Sequence, residues 1–153
     1  MGIEQEPRSF EETFRSLIPK ELENQNIKGI GFDICDVPRM QQDIEEYPEF
    51  MTDNFADEEI AYCEQARLPS LRTQRYAARF AAKEAVIKAL GGINDEGFSF
   101  QDIVVLKGEI TGKPFIFLDG PAKTRAESLG VKEVFITFAH IKDYAVAFCV
   151  TVG

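Results

Sequence analysis

The chain has 153 residues, 44% of them hydrophobic and 28% charged, and a formal net charge of −9. That is the size and make-up of one domain with its own core, expected to fold rather than stay disordered. The acidity argues against general binding to nucleic acid or anionic membranes, and no apolar run approaches a transmembrane length.

The N-terminal stretch MGIEQEPRSFEETF is acidic and lacks a basic start and an apolar run. It reads as neither a secretory signal nor a transit peptide. Residues 9–23 are expected to form an amphipathic helix, with Ser9 and Glu12 at capping-box spacing and Phe10, Phe14, Leu17 and Ile18 on one side. Asn24-Gln25-Asn26 ends the pattern. The expected division is therefore an N-terminal helical extension over 1–26 and one domain over 27–153.

Residues 27–37 alternate as a strand, with Ile30, Phe32 and Ile34 on one face and Gly31, Asp33 and Cys35 on the other. Aspartate is depleted in strands. Asp33 is either an edge-strand carboxylate in water or a carboxylate presented from a rigid element beside close backbone. Asp36 and Pro38 suit the start of a helix over about 38–46, which carries Arg39 and then Asp43, Glu45 and Glu46. A helix is expected over 57–66 and a loop at Pro69-Ser70. Arg67, Arg72, Arg75 and Arg79 then form the one basic concentration in an acidic chain. They are either a solvated face or a local field for an anion.

Residues 76–90, YAARFAAKEAVIKAL, read as a helix stopped by Gly91-Gly92. Tyr76, Phe80, Ile87 and Leu90 form its large apolar stripe, and six alanines form a thin face open to close approach. Glu84 and Lys88 stand one turn apart at the border. The plainer reading is a solvated surface pair; the sharper one is a site. A glycine-marked loop follows, then strands at 102–107 and 114–118 joined through GEITGK. That turn is too short for a phosphate loop, and Pro114 replaces the Ser/Thr. Gly108 and Gly112 are read as hairpin glycines. A helix over Pro121–Leu129 and a last hairpin of strands 132–139 and 144–152 complete the chain, with the lone His140 at its turn. Cys35, Cys63 and Cys149 are too scattered for a disulfide framework or a zinc site, which fits a reducing cytoplasm.

What remains for chemistry is two carboxylates on separate elements, Asp33 and Glu84, with Lys88, an arginine-rich approach, Gly-Gly and a histidine. Carboxylates with waters and phosphate oxygens suit Mg²⁺, which would serve phosphoryl or phosphodiester transfer.

The segments GIGFDICDVPRM (29–40), RFAAKEAVIKAL (79–90), FSFQDIVV with GKPFIFLDG (98–120) and ITFAHIKDYAVAF (136–148) resemble the holo-acyl-carrier-protein synthases in order and spacing. These are small 4′-phosphopantetheinyl transferases. DNFADEEIAYC (53–63) is also similar to the transferase domain of fungal-type fatty acid synthases. The resemblance implies an α+β fold, an antiparallel sheet with packed helices. It implies transfer of 4′-phosphopantetheine from CoA to a serine of an apo acyl carrier protein, with Mg²⁺, releasing adenosine 3′,5′-bisphosphate. Asp33 and Glu84 match the metal-binding carboxylates. Lys88 matches the lysine near the reacting phosphates, where it or a metal-bound water would take the serine proton. Arg79, Lys83, His140, Gly91 and Thr137 match positions around CoA, and Arg39, Arg67, Arg72 and Arg75 are candidates for carrier contact. A homotrimer with a shared cleft is implied. The family often reads Ser-(Ile/Leu)-Ser/Thr-His-Thr/Ser where this chain reads Thr137-Phe138-Ala139-His140-Ile141, so two hydroxyls are absent. The loop after the central helix reads Gly-Gly-Ile in place of Gly-Thr-Gly. A non-catalytic trimeric paralogue that binds CoA or a carrier is the alternative.

Overall fold

The computed structural model describes residues 9, 12, 26–92 and 97–153. The expected helix over 9–23 falls largely outside these residues, but its proposed cap is present. The Ser9 amide donates to Glu12 Oε2 at 2.9 Å, and the Glu12 amide to Ser9 Oγ at 3.2 Å.

The described elements are β1 (Ile27–Asp36), α1 (Val37–Glu46), α2 (Phe50–Asn54), α3 (Asp57–Glu64), α4 (Pro69–Ala89), a 3₁₀ turn (Phe100–Asp102), β2 (Ile103–Lys107), β3 (Pro114–Leu118), α5 (Gly120–Ser128), β4 (Glu133–His140) and β5 (Tyr144–Val152). The fold is α+β. β1, β5 and β4 form an antiparallel sheet in that order, and β2 and β3 form a separate antiparallel pair. Helix α4 crosses the inner face of the three-stranded sheet and touches all of its strands.

The thin face of α4 decides how close that crossing is. Ala77, Ala78, Ala81, Ala82 and Ala85 are fully buried against the sheet and its covering elements. Under them β1 offers glycine: a Cβ at Gly31 would stand 1.7 Å from the Ala85 carbonyl oxygen, and one at Gly29 would stand 1.9 Å from that of Ala89. No other residue type fits there. The strand alternation is present, but its sense is unusual. The small side holds the core contact, while Ile30, Phe32 and Ile34 stand 37%, 51% and 56% exposed on the outer face.

Two expectations need correcting. Pro69-Ser70 is not a loop: Pro69 opens α4, so the central helix runs 21 residues. Proline's missing N–H costs nothing in a first turn. Arg72 and Arg75 therefore ride on the same helix as Glu84. His140 is the last residue of β4 and does not sit in the turn. Elsewhere the ends differ by a few residues. Asp36 caps α1 as expected, accepting from the Arg39 amide at 2.8 Å.

Candidate active site

Close packing of α4 on β1 brings Asp33, Glu84 and Lys88 together. In register, Asp33 lies opposite Ala147, which lies opposite Phe138. Its carboxylate therefore emerges on the inner face. Lys88 Nζ donates to Asp33 Oδ1 at 2.9 Å and to the Phe32 carbonyl at 2.9 Å, tying helix to strand. The Asp33 side chain is 18% exposed and that of Lys88 52%. Glu84 is half-buried beside them. Burial, and then the Asp33 charge, push its carboxyl above the usual range, with Lys88 opposing in part. Asp33 thus works against ionisation of Glu84. Two carboxylates so arranged suit a hard divalent cation that keeps waters or takes phosphate oxygens. Among the described residues no cluster of three or more Asp, Glu, His or Cys offers a fuller cage.

A second feature lies on another side of α4. Tyr62, from α3, is flanked by cations: Arg79 Cζ lies 4.1 Å from its ring centre, Arg75 Cζ 4.5 Å and Lys107 Nζ 5.7 Å. The Arg75 guanidinium also donates to the Tyr62 carbonyl at 2.9 Å. These residues line a cleft of about 180 Å³ with His140, Phe138, Gly112 and Pro114. It shares Tyr62, Arg79, Leu106 and Lys107 with a wider groove along the β2–β3 hairpin. Arg79 is only 4% exposed, and its Nε has no hydrogen-bond partner among the described residues. His140 Nδ1 lies 2.9 Å from Gln74 Oε1. Burial, then Arg75 and Arg79, hold the imidazole below its ordinary pKa and so neutral at pH 7. A buried cation with an unpartnered donor and two neighbouring cations gives a local positive field that suits an anion.

Other expected residues are placed elsewhere. Lys83 does not face either cluster. It is fully buried, bound to Glu59 Oε2 at 2.7 Å and to the Phe100 carbonyl at 2.8 Å, so its ammonium is partnered inside the fold. Thr137 stands on the outer face of β4, opposite in sense to His140. The sites of the absent hydroxyls lie outward too: Ala139 shares the Thr137 face, and Ile141 is 66% exposed. Gly91 has φ +93° and ends α4 in a Schellman turn, with Gly92 N donating to the Ile87 carbonyl at 2.9 Å. Arg72 is held by Glu64, at 2.7 Å in their ion pair. Arg39 and Arg67 are exposed. Sequence reasoning missed Tyr62, Lys107 and Glu59. The spacing of Glu59 and Tyr62, one turn apart on a short helix, was the available signal.

Comparison with known proteins sets these clusters in context. The model of the 4′-phosphopantetheinyl transferase superfamily matches residues 29–149. A holo-[acyl-carrier-protein] synthase of Anaeromyxobacter dehalogenans is 43% identical over 131 residues, covering 83% of this chain and 97% of that protein. The crystal structure of holo-ACP-synthase from Plasmodium yoelii superposes with a TM-score of 0.72 at 30% identity, over 85% of this chain and 98% of that one. The holo-(acyl-carrier-protein) synthase of Bacillus anthracis, solved in complex with CoA (3′,5′-ADP), gives 0.67 at 32% identity, over 83% and 97%.

Proposed function

The chain belongs to the 4′-phosphopantetheinyl transferase superfamily as a holo-[acyl-carrier-protein] synthase, and from that premise we propose how its residues move the phosphopantetheine arm of CoA onto a serine of an apo acyl carrier protein. The observation that carries the reading is the convergence of Asp33, Glu84 and Lys88 across the α4–β1 contact. Asp33 and Glu84 would hold Mg²⁺. The donor set fits, because a divalent cation relieves the repulsion that now weakens the acidity of Glu84. When bound, Mg²⁺ supplies charge neutralisation at the pyrophosphate of CoA. The Lys88 ammonium, aimed by Asp33 and the Phe32 carbonyl, adds positive charge beside the same phosphates. The cleft of Arg75, Arg79, Lys107 and neutral His140 would take a further anionic part of CoA, and the nucleotide would leave as adenosine 3′,5′-bisphosphate. Gly91, three residues beyond Lys88 where α4 ends, would lie along the cofactor.

Arg79 and Glu84 are five residues apart on α4, about 140° around its axis. One chain therefore presents the two clusters to different sides, which supports a cleft completed by a neighbouring copy. The outer sheet face, with Ile30, Phe32, Ile34, Phe135, Tyr144 and Phe148 exposed, supports a homotrimer formed there. Thr137 and Ala139 share that face, so in such an assembly they would address the neighbour. A reducing cytoplasm suits the three buried, unpaired thiols.

The exposed side of α1 beside Asp33 carries Arg39 but also Asp43, Glu45 and Glu46. Like charges across an interface slow encounter and cost affinity. The carrier is therefore one with a less acidic recognition face, or it docks through the exposed Arg67. The test is incubation with CoA, Mg²⁺ and apo carriers of graded acidity, read by mass spectrometry. The expected result is a phosphopantetheine adduct that requires both CoA and Mg²⁺ and forms fastest on the less acidic carriers. No adduct on any carrier would sink the transfer, and an adduct without Mg²⁺ would sink the metal. Fastest reaction with the most acidic carrier, with little salt dependence, would sink the docking idea.

A further inference from the structure

Glu59 and Lys83 form an ion pair in which both side chains are wholly buried. Each partner is also bonded to backbone. Glu59 Oε2 accepts from the Ala56 amide at 2.9 Å, at the start of α3. Its Oε1 accepts from the Val105 amide at 2.9 Å, on β2. Lys83 Nζ donates to the Phe100 carbonyl in the 3₁₀ turn at 2.8 Å and lies 5.1 Å from the centre of the Phe55 ring. One pair thus locks α3, β2, the 3₁₀ turn and α4 to each other.

Stability alone is a poor reason to bury such a pair, since apolar residues of similar volume commonly serve as well or better. Its position suggests another reason. Lys83 immediately precedes Glu84, so the direction of one side chain fixes the direction of the other about 100° around the helix. Arg79 lies one turn before Lys83 on the same side, and Tyr62 one turn after Glu59. The seam that buries the ion pair also carries the cation cleft.

Building on the metal reading above, we propose that Glu59 and Lys83 are positioning residues that set the rotation of α4 about its axis and so aim Glu84 at Asp33. They touch neither metal nor substrate. They act as the outer partners of a metal ligand do, by removing its freedom to turn away.

The test is the paired variant Glu59→Leu with Lys83→Met, which removes both charges and leaves neither unmatched. Folding is followed by circular dichroism, and Mn²⁺ binding in the presence of CoA by electron paramagnetic resonance. The expected result is a folded protein whose Mn²⁺ affinity falls about tenfold or more, with a matching rise in the Mg²⁺ needed for half-maximal rate. An affinity equal to wild type in the folded variant would overturn the proposal. Should the pair not fold, Glu59→Asp keeps the charge but withdraws the carboxylate by one methylene. Measured where it is fully folded, it is expected to weaken Mn²⁺ several-fold, and unchanged binding overturns the proposal equally. A wild-type protein that neither binds Mn²⁺ nor transfers phosphopantetheine would sink the metal reading and this inference with it. Wild-type activity with an indifferent pair sinks only the inference.

Discussion

At the scale of single residues, the proposed metal reading rests on two carboxylates, of which Asp33 works against the ionisation of Glu84. Glu84 holds its proton more tightly in the folded chain than in the unfolded one. The sign follows: its charged form carries a folding penalty at neutral pH, and the penalty fades as pH falls through the folded pKa into the ordinary carboxylate range. Glu84→Gln is therefore expected to melt no lower than wild type at pH 7 without metal, with the gap narrowing at acid pH. The same variant should lose turnover by at least about tenfold, because an amide holds a hard cation poorly. Melting curves across pH and a transfer assay check both halves, and unchanged turnover would remove Glu84 from the site. The cysteines are the contrasting case. Burial first, with nearby Asp33 and Asp36 at Cys35, pushes all three thiols up to about 12. A native protein should show no fast reaction with a thiol reagent at pH 8, and three thiols should react once it is unfolded.

At the scale of elements, the site is a consequence of one close contact. The alanines of α4 and the glycines of β1 let a helix lie directly on strand backbone, and only then does Lys88 reach Asp33. Gly31→Ala would place a methyl group inside the Ala85 carbonyl. It should cost about 1–3 kcal/mol or more through overpacking, and separate Asp33 from Glu84 and Lys88. Urea unfolding measures the first effect, and weakened Mn²⁺ binding the second. The helix and its stop were legible in the sequence, as was the alternation that sets Asp33 on the small face of its strand. Which face of that strand would be buried was not legible. Period-two patterning separates the faces but does not say what covers each. Lys83 shows the same limit. Beside Glu84 in sequence it resembled another phosphate contact, and only the docking of α3 and β2 gave it a buried partner.

At the scale of the whole molecule, the described residues gather three cations in one cleft and six exposed large apolar side chains on the outer face of the three-stranded sheet. Phe148, on β5 in the middle of that sheet, lies between Phe32 and Thr137 in register and is 41% exposed. In the homotrimer proposed above, Phe148→Glu would bury a charge without a partner. It is expected to convert a three-chain species into single chains by light scattering, with loss of transfer and a retained circular dichroism spectrum. A variant that stays trimeric and active would move the interface elsewhere.

By itself the sequence determined most of the elements, through local periodicity and capping, and the family and its α+β class, through the resemblance of short motifs; it also singled out Asp33, Glu84 and Lys88 as candidates. Only the tertiary structure decided that Pro69 opens the central helix, that Lys83 is locked to Glu59, that Tyr62 and Lys107 join Arg75 and Arg79, and that Thr137 faces away from His140. Those facts depend on which element packs against which, and contacts between residues distant along the chain leave no periodic trace in it.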